Sequence, residues 1–303
     1  MVFSPPKSTG LAIGLGVIVL ILALDAALVT LIRFTPLSFP TFICLCLLLA
    51  SAPVLAWVAY RGYGLARARY VLSRNALVVE WGGRREVIPM ERIGEVRAGA
   101  EVEPPLRPQG IAWPGCVVGQ ANVPDLGDVE FLSAADQPGL ALVHYPGGWL
   151  AISPGDPQVF LKSFAELRAE GVEEHIEPES ARPGAEQWAL WRDWMALGLI
   201  ALGGASVLAL VGYLLAIFPQ LPPEIALHFN AQSQPDRFGP PTGLFLLPVI
   251  AGIAWTLNTL GGLWLHRRET ERAGAYLLFS ATVFVQALVW VAAIGLLTAD
   301  RAG

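Results

Sequence analysis

Charge is what this sequence has least of. Lys, Arg, Asp and Glu make up 15% of the chain, against about 25% in a typical soluble domain. The charge that remains leans acidic, with 20 basic and 25 acidic residues and a formal net charge of −5. A chain without a basic excess cannot neutralise a phosphate backbone, which excludes nucleic acid as a partner. Cysteine is nearly missing too. Cys44, Cys46 and Cys116 are too few for a disulfide framework, and the first two share one apolar run. No Gly-rich phosphate loop, nucleophile elbow or metal-ligand spacing occurs. The sequence therefore predicts a non-enzymatic protein that calls for no cofactor and no metal.

What the chain has instead is hydrocarbon. Hydrophobic residues make up 54% and the mean hydropathy is +0.53. They gather in five runs, 11–32, 39–60, 194–218, 243–265 and 275–298, of which only the first holds a charge, Asp25. A bilayer core of about 30 Å needs about 20 apolar helical residues, so each run is long enough to span. The first run exceeds the apolar part of a signal peptide, about 7–15 residues, and no A-x-A site follows, so it reads as a retained span. Residues 1–60 thus hold two spans and residues 191–303 hold three, in a polytopic α-helical membrane protein whose first partner is the lipid bilayer. Glycines punctuate the spans, with Gly10 and Gly14 four apart and Gly203, Gly204, Gly212, Gly261 and Gly262 further on. Small residues of this kind let helices approach closely in lipid.

Basic residues set an orientation. Lys7, Arg61, Arg67, Arg69, Arg192, His266, Arg267, Arg268 and Arg272 fall on one side of the five crossings, and only Arg33, Arg237 and Arg301 on the other. By the positive-inside rule the N-terminus and residues 61–190 are cytoplasmic, and the loop 219–242 and the C-terminus are outside a cell membrane.

Residues 61–190 change character. RYVLSR (69–74), ALVVEWG (76–82) and REVIPM (85–90) alternate like strands, with turns at Asn75 and at Gly82-Gly83. ERIGEVRAG (91–99) continues as a fourth strand or a bulged extension. Residues 129–133 read as another strand, and LALVHY and GWLAIS flank Pro146-Gly147 as a further hairpin. Asp156 or Ser153 then caps a helix beginning near Pro157, with Phe160, Phe164 and Leu167 on one face. Short strands closed by one amphipathic helix suggest an inserted β-barrel or sandwich capped by that helix. The order of strand pairs, IPMERIGEV, WPGCVVGQANVPDLGDVEFLSA and the closing SPGDPQVFLKSF resembles the bacterial pleckstrin-homology-like (PH-like) domain of membrane proteins over roughly residues 65–172. The resemblance implies a PH-like fold. Arg74, Arg84 and Arg85 stand beside Glu80 and Glu86, which disfavours a phosphoinositide site and favours a cytoplasmic protein partner.

The outer loop is dense in unusual residues: His228, Asn230, Pro235, Asp236, Arg237 and Gly239 lie within twelve positions, interleaved with Phe229 and Phe238. Gln234-Pro235-Asp236 favours a turn. Residues 194–265 resemble the integral-membrane domain of unknown function at the N-terminus of SdpI-type peptide-toxin immunity proteins. That family's pattern L-P-x-x-I-P-x-H-[FW]-[ND]-x-x-G-x-P-D-x-[FWY]-G falls here on Leu221, Pro222, Ile225, His228, Phe229, Asn230, Pro235, Asp236, Phe238 and Gly239. Ala226 and Ser233 depart from it, and the immunity protein's other half is missing. Three roles stand open for the cluster: a metal site of His228, Asp236 and Glu224, a structural His228–Asp236 pair, or a surface for a peptide or envelope ligand formed by His228, Phe229, Asn230, Pro235, Asp236, Arg237 and Gly239.

Within the spans the polar residues are Asp25, Asn258 and Gln286, with Thr256 and Thr259. An intramembrane acid is costly and faces a partner or a polar path. Asp25 reads as bonded to Thr30, Asn258 or Gln286, or else as a proton-coupling group. The others read as helix–helix bonds. Three functions follow: a sensor or regulator linking the outer loop to the cytoplasmic domain, an immunity-like factor that binds a membrane-active peptide, and a small proton-coupled transporter.

Overall fold

The computed structural model describes residues 1–103, 105–109, 112–184, 188–230 and 235–299. Ser233, Gln234 and Arg301 lie outside them. Contacts divide the chain into two compact units, Met1–Asp25 with Ala50–Glu186, and Ala26–Leu49 with Gln187–Gly303.

The apolar runs fold as helices: α1 (Lys7–Phe34), α2 (Phe39–Arg67), and, after the short amphipathic α3 (Pro157–Glu170), α4 (Trp194–Ile217), α5 (Leu246–His266) and α6 (Arg272–Ala299). All but α3 are long and apolar enough to cross a membrane. This is the multi-pass architecture that the five runs predict.

In the first unit two sheets face each other. The strands β1 (Val2–Phe3), β2 (Arg69–Leu72), β3 (Ala76–Trp81), β4 (Arg84–Pro89) and β10 (Glu179–Ala181) form an antiparallel sheet in that order. The second sheet runs β5 (Val96–Ala98), β8 (Ala141–Tyr145), β9 (Gly148–Ile152), β7 (Gly127–Ser133) and β6 (Val117–Val123). Its β7–β9 pairing is parallel and the rest antiparallel. Among the described strands no pairing joins the sheets, so the insert is a two-sheet sandwich and not a closed barrel.

The sandwich follows from strand alternation. Leu72, Val79 and Ile88 point from the first sheet, and Leu132, Val143 and Leu150 from the second, into one core. Phe160 and Phe164 of α3 close it. Full burial of such side chains contributes about 1.5–3 kcal/mol each. The other face of the second sheet carries Val129, Phe131, Leu142 and Trp149 against Val102 and Leu106. The helix cap is Asp156, whose Oδ1 accepts from the Gln158 and Val159 N–H groups. Ser153 is instead buried, receiving the Ala134 N–H at 2.8 Å beside the Tyr70 hydroxyl.

Two expected features differ. Residues 90–98 do not extend the first sheet. Pro89 ends β4, a 3-10 turn (Met90–Arg92) redirects the chain, and β5 pairs with β8 in the other sheet. Residues 117–123 form β6, which the sequence does not announce, since only Ala121 and Val123 of it are buried.

The glycines of the spans receive rings. In the second unit a Cβ on Gly203 would come within 2.7 Å of the Trp255 ring, and one on Gly212 within 2.8 Å of Phe42. Gly262 faces Phe279 in the same way. In the first unit Gly10 meets the backbone of Gly115, and Gly14 lies against Trp113 and Val58.

Candidate functional site

The loop between α4 and α5 is an antiparallel hairpin of β11 (Ile225–Phe229) and β12 (Pro235–Gly239). Of the turn expected at 234–236, Pro235 and Asp236 open β12, and Gln234 lies outside the described residues. The hairpin is fastened at its base. Ile225 and Ala226 are buried, and Ile225 joins Leu210, Leu214, Leu244 and Val289 in one cluster. Leu227 seats against Gly239 and Gly243, where a Cβ would meet its Cδ1 at 2.8 and 2.7 Å. Gly239, one of the expected ligand residues, therefore serves the hairpin's fastening.

The hairpin is not regular. The register slips between Ala226 and His228 and again between His228 and Phe229. Bulges of this kind re-aim a side chain, and here His228 turns to solvent. Its Nδ1 lies 2.6 Å from Asp236 Oδ1, with the two side chains 65% and 43% exposed. Arg237 and Phe238 are exposed beside them, and Asn230 is half-buried. The hairpin thus brings together His228, Asp236, Arg237 and Phe238 on an open surface. The described residues hold no group of three His, Cys, Asp or Glu side chains that would bind a metal.

The intramembrane residues are not part of this cluster. Ser51 Oγ donates to Asp25 Oδ2 at 2.9 Å, so the partner of Asp25 is none of Thr30, Asn258 and Gln286. Thr30 and Thr256 bond back to carbonyls of their own helices. Gln286 Nε2 does cross between helices, donating to the Ala251 carbonyl at 3.0 Å. Asn258 is half-buried on α5.

A second polar cluster lies at the opposite end of α4, on residues that no sequence motif marks. Asp193 caps α4 through Oδ1, which accepts the Ala196 N–H at 3.0 Å. Its Oδ2 accepts the Tyr276 hydroxyl of α6 at 2.5 Å and lies 2.9 Å from Nε2 of His266, the last residue of α5. One carboxylate therefore ties three helices. Burial pushes that carboxyl up, but the Ala196 N–H, the Tyr276 hydroxyl and the His266 ring outweigh it and hold the group down at about 2. Trp188 packs edge-on against His266, and the Arg267 guanidinium lies 5.0 Å over the Trp188 ring. The signal available in sequence is an acid directly before an uncharged run, the position of a helix N-cap.

Comparison with known families finds a match in each unit. Residues 68–167 match the model of the bacterial PH domain, and residues 205–252 match that of a domain of unknown function, DUF1648. The chain fuses a bacterial PH domain to this membrane domain. No curated protein and no solved structure matches it.

Proposed function

We propose that the protein is a non-enzymatic membrane sensor or regulator. The β11–β12 hairpin faces the outside and meets a peptide or envelope ligand. The PH-like sandwich faces the cytoplasm and meets a protein partner. The observation that carries the reading is the hairpin's division of labour: a base of buried Ile225 and Ala226 and partly buried Leu227 holds His228, Asp236, Arg237 and Phe238 in the open. An exposed ion pair contributes about 0–1 kcal/mol to stability, so the pair adds little to the fold it sits on. Exposed polar, basic and aromatic side chains on a fastened loop are the usual make-up of a recognition surface. The placement of the two modules on opposite sides rests on the basic residues that flank the spans.

Thiol labelling in intact cells tests the sidedness. With Cys44, Cys46 and Cys116 replaced, Phe238→Cys and Lys162→Cys each place a thiol where the side chain is exposed. A membrane-impermeant reagent is expected to label the first and spare the second until the cells are opened. The reverse pattern overturns the assignment.

The immunity-like reading is favoured by a different feature. A groove of about 800 Å³ opens between Leu49, Gly204, Val207, Pro248, Gly252 and Leu257 within the second unit. An apolar, membrane-active peptide is the ligand such a groove would suit. Protection against a toxin that persists after removal of residues 65–185 would favour this reading over the regulator.

A further inference from the structure

In the first unit the outer edge of β4 is covered by a strap of three residues. Glu179, Ser180 and Ala181 pair with Val87, Glu86 and Arg85. All three are exposed, so no apolar burial holds them. β4 itself runs over six residues, Arg84–Pro89, and half of its outer edge is left unpaired by the strap.

Charge fastens the strap. Ser180 Oγ donates to Glu86 Oε1 at 2.8 Å, and Arg182 Nε donates to the same oxygen at 3.1 Å. Arg182 Nη2 reaches Glu130 Oε2 of β7 at 3.2 Å, while Arg84 Nη2 holds the other oxygen of Glu130 at 2.5 Å. Glu86 is 6% exposed and Arg84 7%. Glu86 stands opposite Val79 and two positions from Ile88, both core residues. An acid therefore occupies a position where the sandwich would otherwise place an apolar side chain. Two carboxylates and two guanidiniums make up the cluster, and one guanidinium comes from the strap. Without Arg182 the pocket keeps an uncompensated carboxylate, which is strongly unfavourable when buried. The groove continues past Glu179 as a cavity of about 200 Å³ lined by Pro89, Arg92, Tyr145, Pro146 and Pro178.

We propose that the β4 edge and its acidic pocket are a docking site for an extended segment of a protein partner. That segment carries Ser or Thr two residues before an arginine, and residues 178–182 of this chain occupy the site as an intramolecular stand-in. Main-chain pairing supplies the attachment, as in other strand additions to a sheet edge. The guanidinium supplies the selectivity, since its fork matches carboxylates that a lysine ammonium meets only as a point charge. A longer incoming strand pairs with more of β4 than the three residues of the strap. This inference rests on reading the sandwich as a partner-binding module.

The test uses the full chain in lipid nanodiscs and a fluorescein-labelled peptide of the chain's own residues 177–184. Arg182→Ala and, independently, Glu179→Lys loosen the strap, the second without touching the buried charges. Each is expected to bind the peptide at least tenfold more tightly than the parent. A peptide with Lys in place of Arg is expected to lose most of that gain. Arg85→Cys with Ala181→Cys, oxidised in a background lacking the native cysteines, locks the strap and abolishes binding until reductant is added. Absence of binding to both loosened variants, with amide exchange at residues 85–87 as slow as in the parent, overturns the proposal and makes β10 a permanent edge. This readout does not involve the outer hairpin, so a failed labelling experiment leaves it standing.

Discussion

The Tyr276 hydroxyl and Asp193 Oδ2 meet at 2.5 Å, and the same carboxylate caps α4 through its other oxygen. Asp193→Ala removes the cap, worth about 0.5–2 kcal/mol. It also strands the Tyr276 hydroxyl and the His266 ring, at about 1–3 kcal/mol for a buried group left unsatisfied. A loss of about 3 kcal/mol is expected in thermal or denaturant unfolding in detergent. Asp193→Asn retains the cap and should lose about 1 kcal/mol. Equal losses for the two variants would show that the cap contributes nothing and that the carboxylate's tie to Tyr276 and His266 carries the whole effect.

Acid should weaken this same tie. The carboxyl sits at about 2 in the folded chain against an ordinary 3.8. A lowered folded value stabilises above the ordinary value, and the contribution is lost as pH falls from about 4 towards 2. The shift corresponds to at most about 2 kcal/mol. The acid limb of the stability profile is expected to flatten in Asp193→Asn, and an unchanged limb would assign it to other groups.

Gly10 and Gly16 lie on the same helix and should respond oppositely to alanine. Gly10 touches the Gly115 backbone, and its carbonyl accepts the Trp113 Nε1–H at 2.9 Å. Added volume there costs about 1–3 kcal/mol. Gly16 has nothing within 4 Å of a built Cβ, so alanine there should be neutral or favourable by up to about 1 kcal/mol. Melting of the two variants side by side checks the contrast.

Gln286 is 2% exposed, and its Nε2 is bonded while its Oε1 is buried without a donor among the described residues. The bond and the stranded oxygen nearly cancel. Gln286→Leu is therefore expected to change unfolding by less than about 1 kcal/mol, whereas Gln286→Glu, which forces a charge into the same site, should cost several times more. A large loss for leucine would mean that the bond to Ala251 outweighs the stranded oxygen.

Legibility in the sequence followed the range of the interactions. The apolar helices, β3, β4, β8, β9 and the Asp156 cap are written in local periodicity and turn chemistry, and the structure has a helix over each apolar run, with α2 continuing past residue 60 to Arg67. His228 and Asp236 are eight residues apart on one loop, so their pairing was open to sequence reasoning. Asp193 and Tyr276 are separated by 83 positions, and nothing in either neighbourhood points to the other. β10 has no buried residue and β6 only two, so hydrophobic alternation could not mark them. For Asp25 the sequence offers Thr30, Asn258 and Gln286 as bonding partners, or proton coupling. The helix packing selected Ser51, a small hydroxyl that composition does not single out.

Val2 and Phe3 pair with Val71 and Tyr70, one strand preceding α1 and the other following α2. The two spans are therefore stapled at their feet by backbone hydrogen bonds, and the chain leaves the bilayer where it went in. Such a pair is suited to insertion as a single helical hairpin, with neither span translocating a folded segment. During synthesis β1 has to wait for almost seventy residues before its neighbour exists, so the first sheet is completed only after both spans have been made. Reporters placed before β1 and within the sandwich should always report the same compartment, whichever compartment that is.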